Sequence, residues 1–190
     1  MLFRSAGAEA VSAVIREVRF AQDEQSGNRA LQIVIDPQST HRVVHGRINS
    51  HRDVVRILGS DLLIHVEEIA VLGAAFKPDS DDVRDSPALD IASQIHSAGA
   101  DVMVHDPKAM ENARARFPRL GFAQSIEECL KDADLVLHLT EWKEYRALDP
   151  VAVKKLVKNA IIIDGRNHLD REKWLAAGWK FRALGRTHHD

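Results

Sequence analysis

From Glu68 onward, short apolar runs alternate with segments of helical periodicity, and this alternation constrains the fold more than any other feature of the chain. The apolar runs cover residues 69–72, 102–104, 135–139 and 161–163, with a weaker run at 180–183. Strands that are buried on both faces of a parallel sheet read as continuous apolar runs of this kind. The pattern therefore predicts an α/β fold, a Rossmann-like doubly wound parallel sheet with helices on both faces.

The segments between the runs carry the signals that start and stop helices. Ser86 followed by Pro87 supplies an N-cap and a first-turn proline, and Gly99 supplies a stop. Ser125 and Glu128 have the spacing of a capping box. The predicted helices cover residues 88–95, 125–131, 150–157 and 170–177. Because every connection is short, we expect right-handed crossovers between the parallel strands.

Upstream of this pattern the signals are weaker. Residues 43–58 carry an incomplete apolar stripe at helical spacing and predict a linker helix. Further upstream, residues 11–18 fit an amphipathic helix, residues 22–28 a polar turn and residues 31–35 a strand. We divide the chain into an unassigned segment (1–42), a linker-helix segment (43–65), the α/β domain (66–186) and a tail (187–190).

Composition narrows the class of protein. The 26 basic and 28 acidic residues leave a formal charge of -2, so the chain lacks the basic excess that binds a nucleic-acid backbone. No stretch approaches the roughly 18 to 20 apolar residues that span a bilayer. The first five residues lack the apolar core of a secretory signal, and the single cysteine forms no internal disulfide. We therefore expect a cytoplasmic protein without nucleic-acid or membrane partners.

The loop after the first run is the first candidate site, because ligands of doubly wound folds bind at the carboxyl ends of the strands. Gly73 is its only glycine and Phe76 occupies space that a dinucleotide pyrophosphate needs, so the ordinary NAD fingerprint is absent. Lys77, Arg84 and a helix N-terminus near Ser86 suit an anionic ligand instead. In an equally open alternative, Lys77 and Arg84 only neutralise carboxylates of the same loop. Those carboxylates belong to Asp79, Asp81, Asp82 and Asp85.

A second candidate follows the run at 161–163, where Arg166 comes directly after Gly165. Arg166 and Lys77 therefore both follow a strand end, and two cations at one sheet edge suggest a pyrophosphate site. The alternative is a structural arginine that holds a neighbouring carbonyl or carboxylate.

Other residues are more simply interpreted as structural than as functional. Trp142 follows a strand, and its position indicates simple packing. Asp106 comes directly before Pro107, which indicates a turn rather than a contact with a ribose. Cys129 is typical of a buried helix residue rather than a nucleophile. The ten histidines show no metal or triad spacing, so we assign no catalytic residue and no metal.

Several short sequence motifs, by their order and spacing, resemble the C-terminal domain of the UDP-glucose/GDP-mannose dehydrogenase family. They are AFKP at 75–78, DDVRDSP at 81–87, DP at 106–107, TEW at 140–142 and DGRN at 164–167. The resemblance covers about residues 66–186. Residues 48–49 show a weaker similarity to the end of the family's central dimerisation region. Each word alone is weak, whereas their combination is specific.

The resemblance implies a division of labour. In that family an N-terminal domain binds NAD, a central helical region forms the dimer, and the C-terminal domain holds the UDP part of the sugar nucleotide. By resemblance, Phe76, Lys77 and Arg166 contact the UDP-sugar and Arg84 reaches towards NAD phosphates. The implied parent reaction is the NAD-dependent two-step oxidation of UDP-glucose to UDP-glucuronate through a thioester on a cysteine.

The sequence departs from the family where turnover is concerned. It has no N-terminal glycine fingerprint, and Cys129 does not align with the catalytic cysteine. We therefore expect a UDP-sugar-binding domain that does not turn over alone, binds no NAD tightly and has a full-length or N-terminal dehydrogenase chain as a possible partner. The alternative is a non-catalytic partner or assembly domain that has kept the fold.

Overall fold

The chain folds around two sheets in a computed structural model that describes residues 67–183 and, further upstream, the backbone of residues 17–22, 29–34, 54–57 and 63–65. The upstream strands form a four-stranded mixed sheet, in the order β1-β2-β3-β4. Their bounds are Glu17–Gln22 (β1), Arg29–Val34 (β2), Val54–Ile57 (β3) and Leu63–His65 (β4). Among the described residues, no helix is long and apolar enough to cross a membrane.

The second sheet has six parallel strands in the order β10-β9-β8-β5-β6-β7. These strands are Glu68–Leu72 (β5), Asp101–His105 (β6), Gly121–Phe122 (β7), Leu135–His138 (β8), Ile161–Asp164 (β9) and Lys180–Ala183 (β10). The helices are Pro87–Ser97 (α1), Met110–Arg116 (α2), Ile126–Leu130 (α3), Lys143–Arg146 (α4), Pro150–Val153 (α5) and Arg171–Ala176 (α6). The predicted α/β fold is confirmed, because the chain builds outward from β5 in both directions, as in Rossmann domains.

The apolar runs become the central strands because the sheet buries them on both faces. Every residue of β8 and of β9 is buried, and Val71 of β5 is 0% exposed. From β5 the chain adds strands first on one side (β6, β7) and then on the other (β8, β9, β10). Because crossovers between parallel strands are right-handed, these two directions place the connecting helices on opposite faces of the sheet. The strand order reverses between β5 and β8, and this switch point is where doubly wound folds bind ligands.

The helix signals are confirmed where side-chain caps exist. Ser86 accepts a hydrogen bond from the Leu89 backbone N–H at the start of α1, and Ser125 accepts one from Glu128 at the start of α3. The Glu128 carboxylate accepts from the Gln124 N–H at 2.6 Å, one residue before the position of an ordinary capping box. Helices α2 and α4 have no side-chain cap bond at their N-termini, which explains why the sequence pattern missed them.

The predicted linker helix at 43–58 is wrong where the structure describes it, because Val54–Ile57 forms β3. Three of its four residues are β-branched, and β3 gains a parallel pairing with β2 that an incomplete apolar stripe does not outweigh. Strand β4 likewise occupies part of the predicted linker-helix segment. Val18 lies in β1 rather than in the predicted amphipathic helix.

The upstream strand prediction at 31–35 is confirmed over most of its length by β2. The remainder of the amphipathic helix, residues 23–28, residues 43–53 and the tail lie outside the described residues. The boundaries of the segments therefore stay a prediction.

Candidate functional site

The carboxyl ends of four neighbouring strands bring the predicted site residues to one edge of the sheet. The loop after β5 carries Phe76, Lys77 and Arg84, and the loop after β9 carries Arg166. Strand β8 lies between β5 and β9, so its loop at 139–142 separates these two groups. This edge is the candidate site.

Gly73 and Thr140 lie in close contact at the switch point between β5 and β8. Gly73 has a φ of 111°, in the region that favours glycine. A Cβ at Gly73 would lie 2.5 Å from both the Cβ and the Oγ1 of Thr140. The Thr140 hydroxyl donates to the Ala75 carbonyl at 2.9 Å. The loop after β5 is therefore tied to the loop after β8 at close range.

Asp106 makes the turn that the sequence predicts. It is 2% exposed, and its Oδ1 accepts from the backbone N–H groups of Lys108 at 3.0 Å and Ala109 at 2.9 Å. This geometry confirms the turn role of the carboxylate.

The other oxygen of Asp106 fastens the loop after β5. Its Oδ2 accepts from the N–H groups of Ala74 at 2.8 Å and Ala75 at 2.9 Å, and from the Trp142 indole at 3.0 Å. Trp142 is 2% exposed, which confirms its packing role. Both oxygens of Asp106 therefore serve loop positions, and one carboxylate aligns three loops of the carboxyl edge.

Phe76 and Lys77 lie just beyond this fastening point. The Phe76 N–H donates to the Asp82 carbonyl at 2.9 Å, which closes the loop on itself, and its side chain is half-buried. Lys77 is exposed, and its ammonium makes no hydrogen bond or salt bridge with any of residues 67–183. Asp79 and Asp85 have φ values of 60° and 52°, so the loop also holds two left-handed residues. The exposed cation thus sits on a tightly constrained backbone.

Arg84 is paired with Asp82 in the same loop. Its Nε and Nη2 donate to the two carboxylate oxygens at 3.0 and 2.8 Å. These hydrogen bonds, with smaller help from the charge of Lys77, lower the pKa of Asp82 to about 2. The two side chains are 78% and 39% exposed. In this conformation Arg84 neutralises a loop carboxylate, and its contact with NAD phosphates stays a prediction.

The Arg84 pair borders an open groove of about 710 Å³ between the loop after β5 and helix α2. Asn112 and Arg116 of α2 line the opposite wall. Asn112 joins the two walls by donating to the Asp81 carbonyl at 2.9 Å.

Arg166 is paired with Glu141, a residue that the sequence analysis does not single out. The Arg166 Nε donates to Glu141 Oε2, and Nη2 donates to Oε1 at 2.6 Å. Burial raises the pKa of Glu141, but the hydrogen bonds and charge of Arg166 outweigh this and hold that pKa below its ordinary value. The side chains are 8% exposed for Arg166 and 28% for Glu141. This pairing is the one that the structural-arginine alternative describes, and no sequence signal pairs these positions.

Asp164 organises the loop that carries Arg166. Its Oδ1 accepts from the Arg166 N–H at 2.9 Å, and its Oδ2 accepts from the N–H groups of His168 and Leu169, both at 2.8 Å. His138 Nδ1 lies 2.7 Å from Oδ1, and both side chains are 0% exposed. Burial raises the pKa of Asp164, but these hydrogen bonds outweigh burial and hold the pKa below its ordinary value.

Three histidines that looked scattered in the sequence gather near this edge, where His105 and His138 contact Tyr145 and His168 stacks on His138. The Tyr145 hydroxyl donates to the His105 carbonyl at 2.8 Å, and the Tyr145 ring packs edge-on against His138. The His138 and His168 rings stack with centroids 6.3 Å apart. Burial lowers the pKa of His168. Among the described residues, no group of three histidine, cysteine or acidic side chains is placed to hold a metal ion.

Cys129 is buried, as predicted. It is 2% exposed, and its thiol points at the carbonyls of Met103 at 3.4 Å and Val71 at 3.7 Å. Burial raises its pKa to about 12, so the thiol stays protonated at neutral pH.

Comparison with known proteins identifies the domain that carries this edge. Residues 70–171 match the model of the UDP-glucose/GDP-mannose dehydrogenase family, UDP binding domain. That match includes strands β6 to β9 and every loop of the candidate site. The chain belongs to this family. It contains the family's C-terminal UDP-binding domain, as the sequence words indicate.

Curated relatives are longer proteins. The UDP-glucose 6-dehydrogenase of Rhizobium meliloti (strain 1021) is 34% identical over 169 residues, which cover 89% of this chain and 37% of the relative. UDP-glucose 6-dehydrogenase TuaD of Bacillus subtilis (strain 168) is 36% identical over 141 residues, 74% of this chain and 30% of the relative. The chain therefore spans about a third of the length of these relatives.

Solved structures confirm the fold. The NDP-N-acetyl-D-galactosaminuronic acid dehydrogenase from Methanosarcina mazei Go1 matches with a TM-score of 0.58 and 32% identity, over 66% of this chain and 26% of that chain. A UDP-glucose dehydrogenase from Pyrobaculum islandicum matches with a TM-score of 0.51 and 31% identity, over 63% and 25%. Each match covers about two thirds of this chain, the length of one domain.

Proposed function

We propose that the carboxyl edge of the six-stranded sheet binds the UDP part of a UDP-sugar. The observation that carries this proposal is Lys77, an exposed cation on a loop whose backbone Asp106 and Thr140 hold in place. An ammonium without a partner among residues 67–183 is available to a diphosphate. A fixed loop loses little conformational freedom when the ligand binds.

The other proposed contacts surround Lys77. The half-buried ring of Phe76 offers an apolar surface beside the cation. Arg166 supplies positive charge from the loop after β9, although its pairing with Glu141 means that the ligand meets an ion pair rather than a lone cation. Arg84, which borders the groove of about 710 Å³, is proposed to reach the NAD phosphates of the complete enzyme.

The oxidation itself is proposed for a complete enzyme rather than for this domain. Its reaction would be the NAD-dependent two-step oxidation of UDP-glucose to UDP-glucuronate in the cytoplasm. NAD would be held mainly by regions outside the UDP-binding domain, so this chain by itself is expected to bind NAD weakly. A full-length or N-terminal dehydrogenase chain is the proposed partner.

The test is calorimetric titration of the chain with UDP, UDP-glucose, GDP and NAD. We expect UDP and UDP-glucose to bind in preference to the other two. Because one charge-assisted hydrogen bond contributes about 1.5–3 kcal/mol, Lys77→Ala should weaken UDP binding by roughly ten- to a hundredfold. Lys155→Ala, which removes an exposed lysine outside the candidate site, is the matched control and should leave the Kd unchanged.

Two outcomes would contradict the proposal. If Lys77→Ala keeps the wild-type Kd and melting temperature, Lys77 is not part of the site. If none of the four nucleotides binds, the chain fits better as a non-catalytic partner or assembly domain, which should then co-purify with a full-length dehydrogenase.

A further inference from the structure

Four ionisable side chains connect the loops after β8 and β9, and we call His138, Asp164, Arg166 and Glu141 the Arg166 network. His138 contacts Asp164 at 2.7 Å, Asp164 accepts from the Arg166 N–H at 2.9 Å, and the Arg166 guanidinium forms two hydrogen bonds with Glu141. His138 and Glu141 belong to the same strand end, three residues apart. The contacts therefore form a closed ring across two adjacent strands.

The protonation of the buried half of the network follows from its geometry. Asp164 is ionised, because its hydrogen bonds hold its pKa below the ordinary value, and a carboxylate only accepts hydrogen bonds. His138 Nδ1 must therefore carry the proton and donate it to Asp164. The other ring nitrogen, Nε2, is buried and has no hydrogen-bond partner within residues 67–183. Among residues 67–183, the hydrogen bond to Asp164 is therefore the only one that orients the imidazole.

Arg166 is fixed at both of its ends. Asp164 holds its backbone, while Glu141 holds its guanidinium and leaves the side chain only 8% exposed. The strand register makes His138 the partner of Asp164, and the Gly165 N–H donates to the His138 carbonyl at 2.9 Å. A long side chain that is already ordered loses less conformational freedom when it meets a ligand.

We propose that His138 and Glu141 are positioning residues for UDP binding, which they support by holding Arg166 in its orientation. The inference rests on the proposed function, because it names the residues behind one of the proposed ligand contacts. Neither residue needs to touch the nucleotide. Their contribution passes through Arg166, and it disappears when Arg166 is absent.

A double-mutant cycle separates positioning from general support of the fold. UDP Kd values are measured for the whole chain with Glu141→Gln and His138→Leu, each in the wild-type and in the Arg166→Ala background. In the wild-type background we expect each substitution to weaken binding by about tenfold, as loss of a charge-assisted contact does. In the Arg166→Ala background we expect no further weakening.

Two further variants sharpen the test. His138→Asn keeps an N–H donor near the position of Nδ1 and should recover most of the affinity that His138→Leu loses. His96→Asn, at the far end of the domain on α1, is the matched control and should bind UDP as the wild type does. If His138→Leu does not fold, Glu141→Gln still completes the cycle, because the Glu141 side chain is partly exposed.

The outcomes separate this inference from the proposed function. An equal loss of affinity in both backgrounds, or no loss with Glu141→Gln, overturns the positioning role while Lys77→Ala still weakens binding. Failure of the wild-type chain to bind UDP overturns both proposals.

Discussion

Gly73 shows how much one residue decides at the candidate site. The sequence marks it as the only glycine of its loop, and the structure adds the physical reason. Its φ of 111° lies in the region that side chains disfavour, and Thr140 occupies the place where a Cβ would be. The switch point therefore closes by direct contact between two loops.

At this scale we predict that Gly73→Ala destabilises the chain. The left-handed backbone costs about 1–2 kcal/mol for a residue with a Cβ, and the overlap with Thr140 adds about 1–3 kcal/mol. Urea unfolding measures the sum. Gly99→Ala is the matched control, because the exposed Gly99 has a similar φ of 104° and should show the backbone cost alone. Equal destabilisation in the two variants would mean that Thr140 moves aside without cost.

Among the elements, the loop after β5 is fastened by one buried carboxylate that follows its neighbouring strand β6. Asp106, at the end of β6, receives three hydrogen bonds on Oδ2 and two on Oδ1. A buried carboxylate that is fully satisfied in this way stabilises the backbone that it holds, whereas removal of one acceptor leaves buried donors unpaired. Together with Thr140, this carboxylate supplies the rigidity proposed for the loop that carries Lys77.

We predict that Asp106→Asn lowers the free energy of unfolding by about 2–4 kcal/mol, because an amide nitrogen accepts no hydrogen bonds and at least two donors lose their partner. UDP binding should weaken at temperatures where the variant remains folded. Asp101→Asn, an exposed position on the same strand, is the control and should change stability by less than about 0.5 kcal/mol. Wild-type stability in Asp106→Asn would show that the loop is held by other contacts.

On the scale of the whole molecule, the chain has one cysteine, and the fold buries it. Cys129 lies on α3 beneath the sheet, with its pKa raised to about 12. A thiol with this pKa is almost fully protonated at neutral pH and makes a poor nucleophile. We therefore expect Cys129 to form no thioester with a substrate.

We predict that the chain, supplied with UDP-glucose and NAD, forms no NADH, even in preparations that bind UDP by calorimetry. The assay is the absorbance of NADH over time. The same preparation, titrated with UDP, controls for loss of folded protein. NADH formation by the wild-type chain would overturn this prediction. Its persistence in Cys129→Ala would show that the reaction does not use the thiol of Cys129.

Part of this structure was readable from the sequence, and the reason is that periodicity and capping are local properties. The apolar runs predicted the central strands, and Ser86 with Pro87 predicted the start of α1. The local signal failed where tertiary pairing outweighed it, as in β3, and where a helix starts without a side-chain cap, as in α2.

The sequence by itself determined the fold class, the family and the edge of the sheet to which Lys77 and Arg166 come. Only the tertiary structure decided what those residues meet. Arg166 and Glu141 are 25 positions apart, and His138 and Asp164 are 26 apart, so their contacts depend on strand register and on the loops that follow. Charged side chains at exposed loop ends have many possible partners. Burial in the folded chain selects among them, because each buried charge needs a counterpart.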